Sequence, residues 1–397
     1  MPFSKLGLSK PILQAIHEQG YEKPTPIQAK AIPIICKGKD IIAAAQTGTG
    51  KTASFVLPIL QNLQDAPEVR AKRIRALILT PTRELAIQVE ENVQAYSKHL
   101  SLTSLAMYGG VDDEPQKAAL IAGVDILVAT PGRLLDMYTQ RAIHFDEVEV
   151  LVLDEADRML DMGFIADINK VVEKLPEQRQ NLLFSATISK QVRFLAKTIL
   201  ENPSEITIKS ELSKPKINQW LIPVDKDKKS ALLSELIQEH QWPQALIFIE
   251  TKRGAAKLVS QLEKRGTKAE AFHSGRSQGA REQLLEDFKA GELQYLIATG
   301  VASRGIDIDN LNLVINYDLP DQADDYVHRI GRTGRAGATG EAISFVSRDD
   351  FRSLCYIEKR LNEIIERKMV TGFEPRAEIP KSDLNWKPKS APAKRRR

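Results

Sequence analysis

Cysteine is scarce in this chain: Cys36 and Cys355 are the only two in 397 residues, one in each half. A disulfide framework or a cysteine-held metal centre is therefore not expected, and the usage fits a reducing, cytoplasmic setting. Long hydrophobic runs are missing as well. No stretch approaches the roughly 18 to 20 apolar residues of a membrane span. Met1 to Lys10 is amphipathic rather than signal-like, so neither membrane insertion nor secretion is expected. An excess of one charge is also lacking. The 56 Lys and Arg stand against 52 Asp and Glu, and the net +4 permits a polyanionic partner without requiring one. What the chain has is length and apolar content, enough for two domains and a tail.

Short runs rich in Ile, Val and Leu alternate with longer segments of helical period. In the first half they are Asp40 to Ala44, Ala76 to Leu79, Asp125 to Ala129, Val148 to Leu153 and Asn181 to Phe184; in the second, Ala245 to Ile249, Ala269 to Phe272, Tyr295 to Ala298, Leu313 to Tyr317 and Ala342 to Val346. Continuous apolar strands separated by helices predict parallel sheets buried on both faces, the doubly wound α/β plan, here twice. The expected division is a first domain over residues 1–209, a polar linker region with Lys and Pro over 210–225, a second domain over 226–365 and a basic tail over 366–397. In that tail Lys381 to Arg397 carries seven basic residues against one acid, Asp383, and is read as disordered.

Ala45-Gln-Thr-Gly-Thr-Gly-Lys-Thr52 follows the first strand and opens a helix. Such a turn points backbone N–H groups at phosphates, so Thr47, Gly48, Thr49 and Gly50 are candidate nucleotide contacts. Lys51 is placed for the β- and γ-phosphates of ATP, and the Thr52 hydroxyl for Mg²⁺. Ala45 stands where the generic pattern has Gly, which makes this a variant loop. Asp154-Glu-Ala-Asp157 follows the strand Val148 to Leu153, at the end where ligands bind in parallel sheets. Asp154 is suited to hold Mg²⁺ through water, and Glu155 to orient or deprotonate the attacking water. In the second half, Arg332 and Arg335 of His328-Arg-Ile-Gly-Arg-Thr-Gly-Arg335 could stabilise charge developing on the γ-phosphate, or could form a basic RNA surface. Asp307 could reach ribose hydroxyls, or simply cap a helix.

With these motifs in order, the chain resembles the DEAD-box RNA helicases, most closely the bacterial RhlE-type group, over about residues 3 to 347. The resemblance implies two tandem RecA-like domains. Gly20-Tyr-Glu-Lys-Pro-Thr-Pro-Ile-Gln28 is similar to the family's Q motif, with Phe3 at its upstream aromatic position. It implies that Gln28 reads the adenine edge while Phe3 and Tyr21 pack near the base. Pro81-Thr82-Arg83, Gly109-Gly110 and Thr130-Pro131-Gly132-Arg133 resemble the RNA-contact motifs of the first domain, and Gln278, Arg281 and Thr299 those of the second. Ser185-Ala-Thr187 resembles the motif that couples nucleotide state to strand separation, bonded to the acidic tetrad that includes Asp157. His328, Arg332 and Arg335 match the arginine-finger motif.

Two departures stand out. Gly300 occupies the position where the family usually has Asp, and His273-Ser274-Gly275 replaces His-Gly-Asp. They put polar contacts at those two positions in doubt.

The expected activity is ATP-driven opening of short RNA duplexes with little sequence specificity. The acids of one domain and the arginines of the other would complete one catalytic set, and ribosome or RNA-decay components are possible partners. A DNA translocase of the same plan and a nucleotide-toggled RNA clamp are the alternatives, with a generic metabolic ATPase, which the paired domains disfavour, as a third. RNA-specific ATPase stimulation separates off the first, and a strand-displacement assay the second.

Overall fold

The computed structural model describes residues 2–45, 48–65, 70–208, 217–300, 311–334, 339–379, 382 and 384–385. Two units emerge, Met1–Glu211 and Leu212–Arg397. Among the described residues the first holds seven parallel strands, β1 (Ile41–Ala44), β2 (Ala76–Leu79), β3 (Ser104–Met107), β4 (Ile126–Ala129), β5 (Val150–Leu153), β6 (Gln180–Ser185) and β7 (Ser204–Thr207). They lie in the order β3-β4-β2-β5-β6-β1-β7. Successive residues of a strand face opposite sides, and here both sides are covered. Ile41 and Ala43, Ala76 and Ile78, and Val150 and Val152 enter one core. Ile42, Leu77 and Leu79, and Leu151 and Leu153 enter the other. The helices that supply the outer halves of these cores are the parallel crossovers that such strands require.

The second unit repeats the plan with β8 (Ile217–Pro223), β9 (Ala245–Ile249), β10 (Glu270–Phe272), β11 (Tyr295–Thr299), β12 (Leu313–Asn316), β13 (Gly340–Val346) and β14 (Glu366–Arg367). Its order is β10-β11-β9-β12-β13-β8-β14, so each strand occupies the place of the strand seven before it in the first sheet. Again the strands are buried two-sidedly, with Ile247 and Ile315 in one core and Leu246 and Val314 in another.

Every apolar run expected as a strand is one, within a residue or two at the ends. The four additional strands need their own reasons. β3 and β7 are edge strands whose outward faces meet solvent, and in β7 only Ile206 is buried. The linker expectation is corrected at 217–223: these residues form β8, paired with β13 along its whole length. The Lys and Pro near it disguised a strand whose second half, Leu221 to Pro223, is buried.

The tail expectation is corrected over 366–379. Arg367 pairs with the buried Glu358 at 2.7 Å, Lys368 stands 3.9 Å over the Trp220 ring, and Val370 and Phe373 pack on the core. The basic stretch 386–397 lies outside the described residues. Among the described residues no helix is long and apolar enough to cross a membrane.

Candidate functional site

Strands β5, β6 and β1 are neighbours, and their carboxyl ends deliver three of the expected motifs side by side. After β1 the chain reaches the helix Lys51–Leu63 through Gly48 and Gly50, both in the left-handed region at φ 77° and 87°. Gly50 also has no room for a side chain, because a Cβ would collide with the Gln28 amide. Its carbonyl accepts from Gln28 Nε2 at 3.2 Å and from Ser54 Oγ at 2.9 Å. The Thr25–Gln28 capping box holds the other end of that amide, since Gln28 Oε1 accepts from Thr25 N at 2.9 Å. A carboxamide has two hydrogens and two acceptor sites, so one of each is left to meet an adenine edge. Thr49 and Thr52 are in this loop and helix start; Thr47 lies outside the described residues.

Lys51 is 7% exposed, and its Nζ has no hydrogen-bond partner among the described residues. A buried ammonium left in that condition is costly, and an anion in the loop would satisfy it. Asp154 and Glu155 are 3% and 8% exposed at the end of β5. Burial drives the Asp154 carboxyl well above the ordinary carboxylate range; Lys51 opposes this, and the charges on Glu155 and Asp157 reinforce it.

Glu155 itself has φ 53° and ψ 50°, a left-handed backbone that a non-glycine residue adopts at a cost. The sharp turn this creates puts both acids at the mouth of the strand. The structure also adds a residue that the motif alone did not reveal. Arg158, 4% exposed, brings Nη1 to 2.5 Å from Glu155 Oε2, a charge contact without hydrogen-bond alignment.

Among the described residues no cluster of three or more His, Cys, Asp or Glu could hold a metal. A phosphate-bound Mg²⁺ needs fewer. A hydroxyl (Thr52) and a carboxylate (Asp154) are hard oxygen donors of the right kind, and phosphate and water supply the rest.

From β6, the Thr187 backbone N and hydroxyl both donate to Asp157 Oδ2 at 2.9 Å. Ser185 Oγ donates to the Thr187 carbonyl at 2.6 Å. The motif expected to couple is thus physically joined to the acidic tetrad.

The expected RNA-contact motifs of the first unit gather at the ends of β2, β3 and β4. Pro81 and Thr82 are buried, and Thr82 Oγ1 caps the helix Arg83–Ser97 by accepting from Leu85 N at 3.3 Å. The Arg83 guanidinium lies where a Cβ on Gly110 would stand, and Gly110 has φ 82°. Arg133 donates to the Val111 carbonyl at 3.3 Å, and its Nε passes beside Gly109. Thr130 and Pro131 start the helix Pro131–Thr139, with Gly132 exposed and open to a close approach. Tyr21 is 39% exposed. Phe3, expected near the base, is 6% exposed, and its ring belongs to the core that contains Leu6, Ile12 and Ile16.

In the second unit, Thr299 ends β11 at 5% exposure. Gln278 and Arg281, expected as RNA contacts, sit on the helix Gln278–Lys289. Both are buried, Arg281 bonds to Gln278, and the guanidinium stands 5.9 Å over the Phe272 ring. Their spacing of three puts both on one helix face, and in this structure that face is turned inward.

At the first departure, the Arg329 guanidinium stands 3.3 Å from where a Cβ on Gly300 would be, while Arg329 donates to the Asp318 carbonyl at 2.7 Å. At the other, His273 Nδ1 accepts from Gly275 N at 3.1 Å. Partial burial lowers the ring's pKa, and Arg276 and Lys252 lower it further. His328 sits in the helix Ala323–Ile330 and Arg332 just beyond it, the latter 7% exposed. Asp307 and Arg335 lie outside the described residues.

Thr251 was not singled out from sequence. It follows β9 and caps the helix Lys252–Glu263 through Gly254 N at 3.0 Å, as Thr82 does after β2. A threonine directly beyond an apolar strand was the available signal.

The family model described as "DEAD/DEAH box helicase" matches residues 25–195, and that described as "Helicase conserved C-terminal domain" matches residues 227–337. The chain is 42% identical over 388 residues to the "ATP-dependent RNA helicase DeaD" of Buchnera aphidicola, covering 97% of this chain and 62% of that protein. Against the DeaD protein of Escherichia coli (strain K12) it is 42% identical over 384 residues, covering 96% and 59%. It therefore spans about three-fifths of the length of those relatives. Against the "DEAD-box ATP-dependent RNA helicase CshA" of Geobacillus kaustophilus it is 41% identical, covering 92% of this chain and 78% of that one. The solved structure of "S. cerevisiae Dbp5 bound to RNA and ADP BeF3" matches with a TM-score of 0.82 at 34% identity, covering 93% of this chain and 95% of that one.

Proposed function

The chain belongs to the DEAD-box ATP-dependent RNA helicase family, and from that premise we propose that it hydrolyses ATP on RNA and uses the turnover to open short duplexes and remodel RNA or ribonucleoprotein. The observation that carries this reading is the buried Lys51 ammonium, without a hydrogen-bond partner among the described residues, at the mouth of a glycine cradle. An arrangement of that kind is completed by phosphate. On this reading Gln28 takes the adenine edge, Tyr21 its face, and the loop amides the phosphates. Glu155 orients or deprotonates the attacking water. Mg²⁺, held by Thr52 and Asp154, would offset phosphate charge. Arg332 and Arg335 are read as cationic groups able to offset charge developing on a γ-phosphate.

RNA is read as being gripped through its backbone by Thr82, Arg83, Gly109, Gly110, Thr130 and Arg133. Such contacts carry no base information, which is why low sequence specificity is proposed for single strands and short duplexes. The finer assignments are a bacterial RhlE-type subgroup, a cytoplasmic location, and ribosome or RNA-decay components as partners. They rest on motif wording, on cysteine usage and on the low specificity, respectively.

The test is RNA-stimulated ATPase and short-duplex displacement measured on one preparation. Both should be present in the wild type, and Lys51→Ala should reduce turnover by at least roughly a hundredfold. ATPase indifferent to RNA, or undiminished in Lys51→Ala, would overturn the proposal.

A further inference from the structure

Tyr21 stands on the loop between Gly20 and the Thr25–Gln28 capping box, and its ring is 39% exposed. A half-exposed phenol on a loop would ordinarily sample several rotamers. Here its hydroxyl is held. It lies 3.0 Å from the hydroxyl of Tyr96, which is 2% exposed, and the two rings are tilted at 57° with centroids 6.1 Å apart.

The direction of this chain of bonds can be worked out. Asn92 Nδ2 donates to the Gln88 carbonyl at 2.6 Å, which fixes Asn92 Oδ1 as an acceptor. Tyr96 donates to that Oδ1 at 3.0 Å and so has only lone pairs to offer Tyr21. The relay therefore runs from Tyr21 to Tyr96 to Asn92, and ends on the backbone of the helix Arg83–Ser97. Burial holds the Tyr96 hydroxyl far above its ordinary pKa, so it remains a neutral donor at any working pH.

We infer that Tyr96 is a positioning residue for ATP recognition, holding the Tyr21 ring in the orientation in which it meets the adenine face. This deepens, and rests on, the reading of Tyr21 as a base contact. The helix that carries Tyr96 near its carboxyl end carries Thr82 and Arg83, the proposed RNA contacts, at its start. One rigid element thus links the base platform to the RNA surface.

The experiment compares Tyr96→Phe, Tyr21→Phe, the double variant and Tyr21→Ala in the full chain, by steady-state ATPase with saturating RNA. Loss of one hydrogen bond corresponds to roughly a two- to tenfold effect. The expected result is that Tyr96→Phe raises KM for ATP by that factor with kcat held. Tyr21→Phe should match it, and the double variant should add nothing, because both hydroxyls serve one contact. If KM is unmoved in Tyr96→Phe while Tyr21→Ala raises it, the positioning role is wrong and the base contact stands. If Tyr21→Ala also leaves KM unmoved, the base contact fails and the inference falls with it. Additive effects in the double variant would likewise overturn it.

Discussion

Each unit starts its first crossover helix with a buried lysine, Lys51 after β1 and Lys229 after β8, strands that hold the same place in sheets of the same order. Their surroundings are opposite. Lys229 is 2% exposed and fully engaged, donating to the Tyr317 carbonyl at 2.9 Å, Asp350 at 3.2 Å and Asp318 at 3.4 Å. Those acids come from the ends of β12 and β13, the counterparts of β5 and β6. In the first unit the corresponding strand ends carry Asp154 and Ser185, and the Lys51 ammonium has no hydrogen-bond partner among the described residues.

The connecting turns differ in the same sense. Gly48 and Gly50 leave an open cradle in the first unit. In the second, Asp225 and Asp227 of the turn pair with Arg376 of the C-terminal segment. One architecture has thus been left open in one copy and sealed with its own ion pairs in the other. Topology alone does not distinguish the two copies; the partners of the lysine do.

Variants can break or sharpen this contrast, and the largest effect is expected from the acids of the open copy. Glu155→Gln should leave ATP and RNA binding intact and lower turnover by about a thousandfold, within the range for loss of a general base. Single-turnover hydrolysis on RNA checks it, and a normal rate would remove Glu155 from the chemistry. On the sealed side, Lys229→Met should cost about 3 kcal/mol of stability, read by denaturant unfolding of the second unit's transition, because it strands two half-buried carboxylates. The parallel change at Lys51 should cost little stability, since that ammonium gives up no hydrogen bond among the described residues.

Next comes Thr187→Val, which deletes the hydroxyl bond to Asp157 and keeps the backbone one. Duplex displacement should fall roughly tenfold, and by more than ATPase falls. The smallest effect belongs to Arg376→Ala on the exposed cover of the second turn. Its change in Tm should be slight and should vanish as salt is raised, as for a solvent-screened pair.

Much of this was legible in the chain. Nine central strands and the edge strand β10 show as apolar runs, the central ones because both of their faces are buried, and the phosphate loop and the acids show because their residues are contiguous. The other four strands are harder to see. β3 and β7 have one neighbour each and partly exposed faces, β14 is two residues long, and β8 hid behind the Lys and Pro that precede it. Non-local partners are harder still. Lys229 finds Asp318 and Tyr21 finds Tyr96 across long separations that no spacing rule encodes. The inward turn of Gln278 and Arg281 and the core position of Phe3 were likewise invisible, because burial is decided by tertiary packing rather than by residue type.

The most direct test of the contrast is the stoichiometry of ATP binding to the intact chain, measured by equilibrium titration. One nucleotide per chain, lost in Lys51→Ala, is the predicted result. Two per chain, or binding that survives Lys51→Ala undiminished, would contradict the distinction between an open and a sealed copy.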